Sequence, residues 1–184
     1  MDKIDRRILK SRQGIQSTFL QMLNKEGFDE ITVKHITEEA NIARKTFYLH
    51  YMDKYDLLDR IIDDHIVQLR EICDQKKEMG IIEGSILWFS YFEQHKLFFA
   101  ALFKSRDASS FRKKLLSFTM GEISKKIDQD SHPIIDRHIF LKFLGTATMG
   151  VLESYVLDEI DRDIESVAAQ VVQLYKRLNP LSMC

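Results

Sequence analysis

Proline is nearly missing from this chain, with two in 184 residues, and glycine is held to seven. So few breakers argue against folds made of many short strands and tight turns, and favour long helices. Cysteine is as scarce. Cys73 and Cys184 are too few and too far apart in sequence for a disulfide framework or a zinc site, so a reducing compartment is expected. No run reaches the ~18 apolar residues that would read as a membrane span. The charged opening Met-Asp-Lys-Ile-Asp-Arg-Arg lacks the apolar centre of a secretory signal. A cytoplasmic protein without a membrane partner is therefore the expectation. An excess of one charge is also absent: the formal net charge is −1, so overall balance gives no argument for a polyanionic partner. What is present, 45% hydrophobic and 30% charged residues, describes an ordinary folded protein.

Charge distribution says slightly more than the total. Residues 1–54 hold ten Lys/Arg against eight Asp/Glu, and the remainder seventeen against twenty. Within that first third, Ile8, Ile15, Phe19, Leu20, Met22 and Leu23 recur at helical spacing over residues 5–26, and Gly27 stops the helix. Thr32 reads as the N-cap of a helix at about 33–39, with His35 where a Glu would complete a capping box. Asn41 tolerates a left-handed turn, Ile42 can plug the space behind it, and a short helix follows that carries Arg44, Lys45, Thr46, Tyr48 and His50. Helix, tight turn, short helix is the order of a helix-turn-helix. Cations for phosphates, with hydroxyls and an imidazole as hydrogen-bond donors, suit a duplex. So short a helix is unstable alone, so the rest of the chain must hold it.

A long helix is predicted from Lys54 to about Met79, running from the reading unit into a second domain as a lever. Residues 81–103 form an apolar-aromatic centre, most of it bundle core. A ligand cavity there would be walled by Trp88, Tyr91, Phe92, Phe99 and Phe103, with Glu93, Gln94 or His95 supplying polar groups. After a loop at 105–110, helices are predicted at 111–127, from Pro133 to about Leu157, and at 160–178 before Pro180. Gly145, Ala147 and Gly150 leave shallow places where another backbone could approach. The fold class is all-α: an N-terminal three-helix domain over residues 1–53 and a C-terminal helical bundle over 54–184.

The run from Phe28 to Leu58 resembles the DNA-binding domain of the TetR (tetracycline-repressor) family. The matching pieces are Gly27-Phe28, Thr32-Val33, Ile36, Ala40, Thr46-Phe47-Tyr48, His50-Tyr51, Lys54 and Leu57-Leu58. The resemblance implies a homodimeric transcription regulator on a near-palindromic operator in double-stranded DNA. It places Thr32 and Lys34 at the start of the second helix against the backbone, Arg44 and Lys45 at base edges, and Thr46, Tyr48 and His50 on phosphates. Lys54 would meet a phosphate at the start of the next helix. It also implies that the last two helices pair with their copies, through Phe140, Phe143, Ala147, Val151, Val167 and Val171. Two departures stand out: Ala43 replaces a common capping Ser, and Asn41 replaces the commoner Gly.

No glycine-rich phosphate loop, serine elbow or His-Glu-x-x-His is present. Asp63, Asp64 and His65 are adjacent and point in different directions on a helix, and His132 and His138 are poorly spaced for one metal. Neither catalysis nor a cofactor or metal is expected. The leading reading is a repressor released by a small apolar ligand. Its rival keeps the fold and drops the inducer, giving an adaptor or coactivator controlled by a protein partner.

Overall fold

The computed structural model describes residues 3–75, 79–126 and 136–178. Among the described residues there are nine helices and no strand: α1 (Lys3–Glu26), α2 (Val33–Glu39), α3 (Arg44–Tyr48), α4 (Lys54–Gln75), α5 (Ile81–Gln94), α6 (Lys96–Lys104), α7 (Ser109–Ser124), α8 (Arg137–Val156) and α9 (Ile164–Leu178). They fall into two compact units. One comprises Met1–His65 with Ala101–Phe111, the other Ile66–Ala100 with Arg112–Cys184.

The first unit is built on the stripe expected of α1. Ile15, Phe19 and Leu23 are buried, together with Phe28, Ile31, Ile36, Phe47, Leu57 and Leu58. Each such side chain contributes ~1.5–3 kcal/mol when fully buried, which is how a helix of five residues persists. Gly27 stops α1 at φ +80°, a region costly for any residue with a Cβ. Phe28 then packs edge-on against Phe19 (6.2 Å) and Tyr55 (5.4 Å). Residues 101–111 belong here too. Asp29 carboxylate oxygens accept from Ser105 Oγ (2.5 Å) and from the Arg106 and Asp107 amides (3.4 Å each). These contacts hold the Asp29 carboxyl below the usual range, Ser105 contributing most.

The second unit is a helical bundle in which α5 packs along α9 and against α8. Its aromatic centre is a close stack: Trp88 to Phe92 at 4.7 Å, Phe92 to Phe99 at 4.6 Å and Tyr91 to His95 at 4.6 Å. Gly145 lies where α8 meets α7; a Cβ there would come within 2.7 Å of Met120 Cγ. Gly150 has open space instead. By length and mean hydropathy (1.2) α8 is a candidate to cross a membrane, but half of that window is buried inside the protein, as in a core helix.

Several boundaries differ from the sequence expectation. α3 is shorter than the turn-and-helix run suggested, with Leu49 already its C-cap. His95 separates α5 from α6 without a glycine or proline to mark the break. α7 begins at Ser109, inside the expected loop. α8 starts at Arg137, where the Asp136 side chain accepts from the Ile139 amide (2.9 Å); the expected start at Pro133 lies outside the described residues, as does Pro180. α9 starts at Ile164, not 160, because Asp163 caps it through the Ser166 amide (2.7 Å). Before it, Asp158 takes a left-handed φ of 62° and closes α8, a position usually given to glycine or asparagine.

Candidate nucleic-acid interface

The turn between α2 and α3 is set residue by residue. Thr32 is extended (φ −126°, ψ 156°) and its Oγ1 accepts from the His35 amide at 3.2 Å, the N-cap geometry expected. At the other end Ala40 remains helical and Asn41 swings to φ 50°. Its amide then reaches Glu38 O (3.1 Å) and the Ile42 amide reaches Thr37 O (3.0 Å), so the turn closes on carbonyls that α2 would otherwise leave open. Thr37, nearly buried, donates to Lys34 O (2.9 Å). Ala43 is the N-cap of α3 and gives no side-chain cap bond.

Phe47 is fully buried and anchors α3, which leaves the opposite face outward. Arg44 and Lys45 are exposed, Thr46 is half-buried, and Tyr48 is 56% exposed with its ring edge-on to Phe47 (5.6 Å). Lys34 is also exposed and lies 3.8 Å from Glu38, a contact too open to hold it firmly. Lys34, Thr37, Asn41, Ile42 and Arg44 share one shallow depression. Just beyond α3, Leu49 (74%) and Met52 (77%) add exposed apolar surface that the sequence reading did not use; apolar side chains beside a reading helix can meet a thymine methyl.

Two of the expected phosphate contacts are engaged inside the unit. His50 is half-buried, and its Nε2 lies 2.7 Å from Ser11 Oγ on α1. Burial, with Arg12 and Arg60 nearby, pushes its pKa down. Lys54 Nζ donates to Phe28 O (3.1 Å) and Asp29 O (3.2 Å) and stands 4.5 Å above the Phe28 ring. The first turn of α4 is answered internally as well: Asp53 Oδ1 accepts from the Tyr55 and Asp56 amides (2.8 Å each), and Asp56 Oδ2 from the Met52 amide (2.9 Å). Lys54 thus ties α4 to the α1–α2 turn, a role its spacing in the sequence did not reveal.

In the second unit a cavity of about 80 Å³ is lined by residues from α4, α5, α7, α8 and α9. Of the five expected aromatic walls, Trp88 lines it. Tyr91, Phe92 and Phe99 are packed into the stack beside it, and Phe103 packs on Phe111 (5.1 Å) in the first unit. Glu93 accepts from Tyr155 OH (2.6 Å) and does not line the cavity. Tyr91 donates to Gln68 Oε1 (2.9 Å), and burial pushes its pKa up to about 12. The residues expected at a partner helix divide likewise. Phe143 (56% exposed), Ala147 and the half-buried Val151 face outward, whereas Phe140, Val167 and Val171 are buried within the protomer. Ile139 (65%), Leu174 (54%) and Leu178 (43%) extend the exposed apolar surface of α8 and α9.

Residues 17–61 match the sequence family described as bacterial regulatory proteins, tetR family, and residues 81–177 match one described as a transcriptional regulator C-terminal region. The chain belongs to the TetR family of transcriptional regulators, with a DNA-binding helix-turn-helix domain. It is 43% identical over 61 residues to the HTH-type transcriptional regulator YxbF of Bacillus subtilis, an overlap covering 33% of this chain and 16% of that protein. Over 183 residues it is 24% identical to the HTH-type transcriptional regulator SAS2464 of Staphylococcus aureus, covering 84% of this chain and 96% of the relative. Among solved structures, a TetR transcriptional regulator from Streptococcus agalactiae superposes with a TM-score of 0.78 at 22% identity, over 92% of this chain and 96% of the other. NalD of Pseudomonas aeruginosa, the secondary repressor of a multidrug efflux pump, superposes with a TM-score of 0.70 at 16% identity, over 95% and 97%.

Proposed function

We propose that this regulator is a cytoplasmic homodimeric repressor that holds a near-palindromic operator through two copies of α3 and leaves it when a small molecule binds the second unit. The observation that carries the DNA reading is the division of α3: Phe47 is wholly inward while Arg44, Lys45 and Tyr48 are outward. Arg44 is the residue for bidentate reading of guanine. Lys45 stands beside it as a second candidate for base edges, Tyr48 and Thr46 serve the phosphates with Lys34, and Thr32 positions α2 beside them. His50, with its ring proton given to Ser11, holds the reading unit together, while Lys54 does so with two of its hydrogens and has a third for a phosphate. In this reading residues 1–53 make the DNA-reading domain and 54–184 the dimerisation and effector domain.

Dimerisation is supported by the exposed strip of Ile139, Phe143, Ala147 and Gly150 along α8 and by the exposed Leu174 and Leu178 on α9. Large apolar side chains exposed along one face of a helix are a liability unless covered, and a two-fold axis covers them with their own copies. Half-sites on one face of B-DNA recur every ~34–36 Å, so the covered strip fixes the spacing of the two heads. A dimer lying across both half-sites excludes other proteins from that stretch, which is repression.

Selection of bound sequences from random duplex DNA tests the reading. An inverted repeat should emerge, and 1:1 binding of dimer to site should follow. Recovery of no preferred sequence, or of a single unrepeated half-site, would refute it.

A further inference from the structure

Phe47 fixes which way each side of α3 points, because with no exposed surface it marks the core side of the helix. At about 100° per residue, Arg44 and Tyr48 fall on one flank and Thr46 on the other. Lys45 and Leu49 each fall about 160° from Phe47, on either side of the point opposite it. They share the centre of the outward face. The register holds as far as Leu49: its backbone is still helical (φ −72°, ψ −21°) and its amide donates to Lys45 O (3.1 Å). Lys45 is exposed and Leu49 is 74% exposed. The outermost part of a DNA-reading helix is therefore half cation and half hydrocarbon.

Leucine brings neither charge nor hydrogen-bond donor, so a phosphate cannot hold it. In the major groove the base edges offer nitrogen and oxygen atoms that need polar partners, and a single apolar group, the 5-methyl of thymine. Set against any other edge, Leu49 would strip water from polar atoms and leave them unpaired. Set against the methyl, both groups leave water together. We infer that Leu49 is a specificity-determining residue, selecting a thymine in each half-site by packing on its 5-methyl group. The inference rests on the proposed docking of α3 against base edges, and it adds a base that the charged side chains of α3 do not read.

Deoxyuridine is a direct probe, since it lacks that methyl group and keeps every hydrogen-bonding atom of thymidine. The operator selected from random duplex DNA is resynthesised with uracil in place of each thymine in turn, and the affinity of the full chain is measured by fluorescence anisotropy. At one position in each half-site uracil should weaken binding about fourfold, the worth of one buried methyl group. Leu49→Ala should bind the thymine operator about as weakly as the parent binds the uracil one. It should keep the parent's urea midpoint and no longer distinguish the two bases at that position. Met52→Ala is the control. Met52 is 77% exposed but lies past α3, its amide held by Asp56 (2.9 Å), so its loss should leave the preference for thymine in place. An inverted repeat without a uracil-sensitive thymine, or with the same sensitivity in Leu49→Ala, would overturn the inference and leave the operator reading intact. Loss of the preference in Met52→Ala would overturn it too. If selection recovers no preferred sequence, both fall.

Discussion

Ser11 Oγ donates to the carbonyl of Ile8 (3.0 Å) and lies 2.7 Å from His50 Nε2. A hydroxyl has one hydrogen, so with that hydrogen on Ile8 the imidazole must donate in the second contact. Nε2 then carries the proton, and neutral His50 leaves Nδ1 as the acceptor. Burial first, then the positive charges of Arg12 and Arg60, hold its pKa below 6.5. Burial alone does the same to His95. For both groups the folded protein binds fewer protons than the unfolded chain once pH falls toward 6.5. The stability they contribute is whole above 6.5 and is lost as pH drops through 6.5 toward the folded values. Asp29, Asp56 and Asp163 are also lowered, but from 3.8, so their contribution disappears only in stronger acid. The urea midpoint should therefore fall between about pH 7 and pH 5.5. The double variant His50→Gln, His95→Gln should flatten that slope, because glutamine keeps a donor for Ser11 and does not titrate. A midpoint that rises on acidification would contradict the assignment.

The short reading helix shows how an element divides stability from function. Phe47 has no exposed surface, and Phe47→Ala should cost about 3–5 kcal/mol, the usual range for a buried phenylalanine. Arg44 is exposed, and Arg44→Ala should leave stability within about 0.5 kcal/mol. If Arg44 reads guanine as proposed, its loss should weaken operator binding by ~1–3 kcal/mol and relax preference at one base pair of each half-site. Urea melts and competition binding against single-base operator variants separate these outcomes. Unaltered base preference in Arg44→Ala would remove it from the reading set. The elements of this unit were legible because their signals are local: apolar spacing in α1, the hydroxyl of Thr32 ahead of Val33, and an asparagine where the backbone must turn left-handed. Elements whose ends depend on distant partners were less so. Nothing near His95 marks the break between α5 and α6, and Asp163 and Asp158 do work that proline and glycine usually advertise. The second role of Lys54 was hidden for the same reason, since its acceptors, Phe28 O and Asp29 O, lie 26 and 25 residues away. By composition alone the aromatic residues of α5 and α6 are candidate cavity walls. Composition does not say which rings stack on each other and which border open space.

At the scale of the whole molecule, the outer strip of α8 and α9 decides whether one reading head or two act on DNA. Phe143 is 56% exposed and sits one turn, four residues, from both Ile139 and Ala147 on one side of α8. Phe140, Leu144 and Thr148, on the other side, are buried in the protomer. A charge at position 143 should therefore leave the protomer core intact while placing two carboxylates face to face across a two-fold axis. Phe143→Glu should sediment as a monomer at micromolar concentration, with the helical circular dichroism of the parent. Linking two heads raises avidity by ~10²–10⁴ over one, so affinity for the full operator should fall by that order while affinity for an isolated half-site stays put. Gly145→Leu is a useful contrast, because its Cβ points at Met120 and Leu116 inside the unit. It should lower stability, and any loss of dimer should follow the loss of fold. A Phe143→Glu protein that stays dimeric, or a monomer that holds the full operator as tightly as the parent, would place the interface elsewhere and leave the two-headed reading without its support.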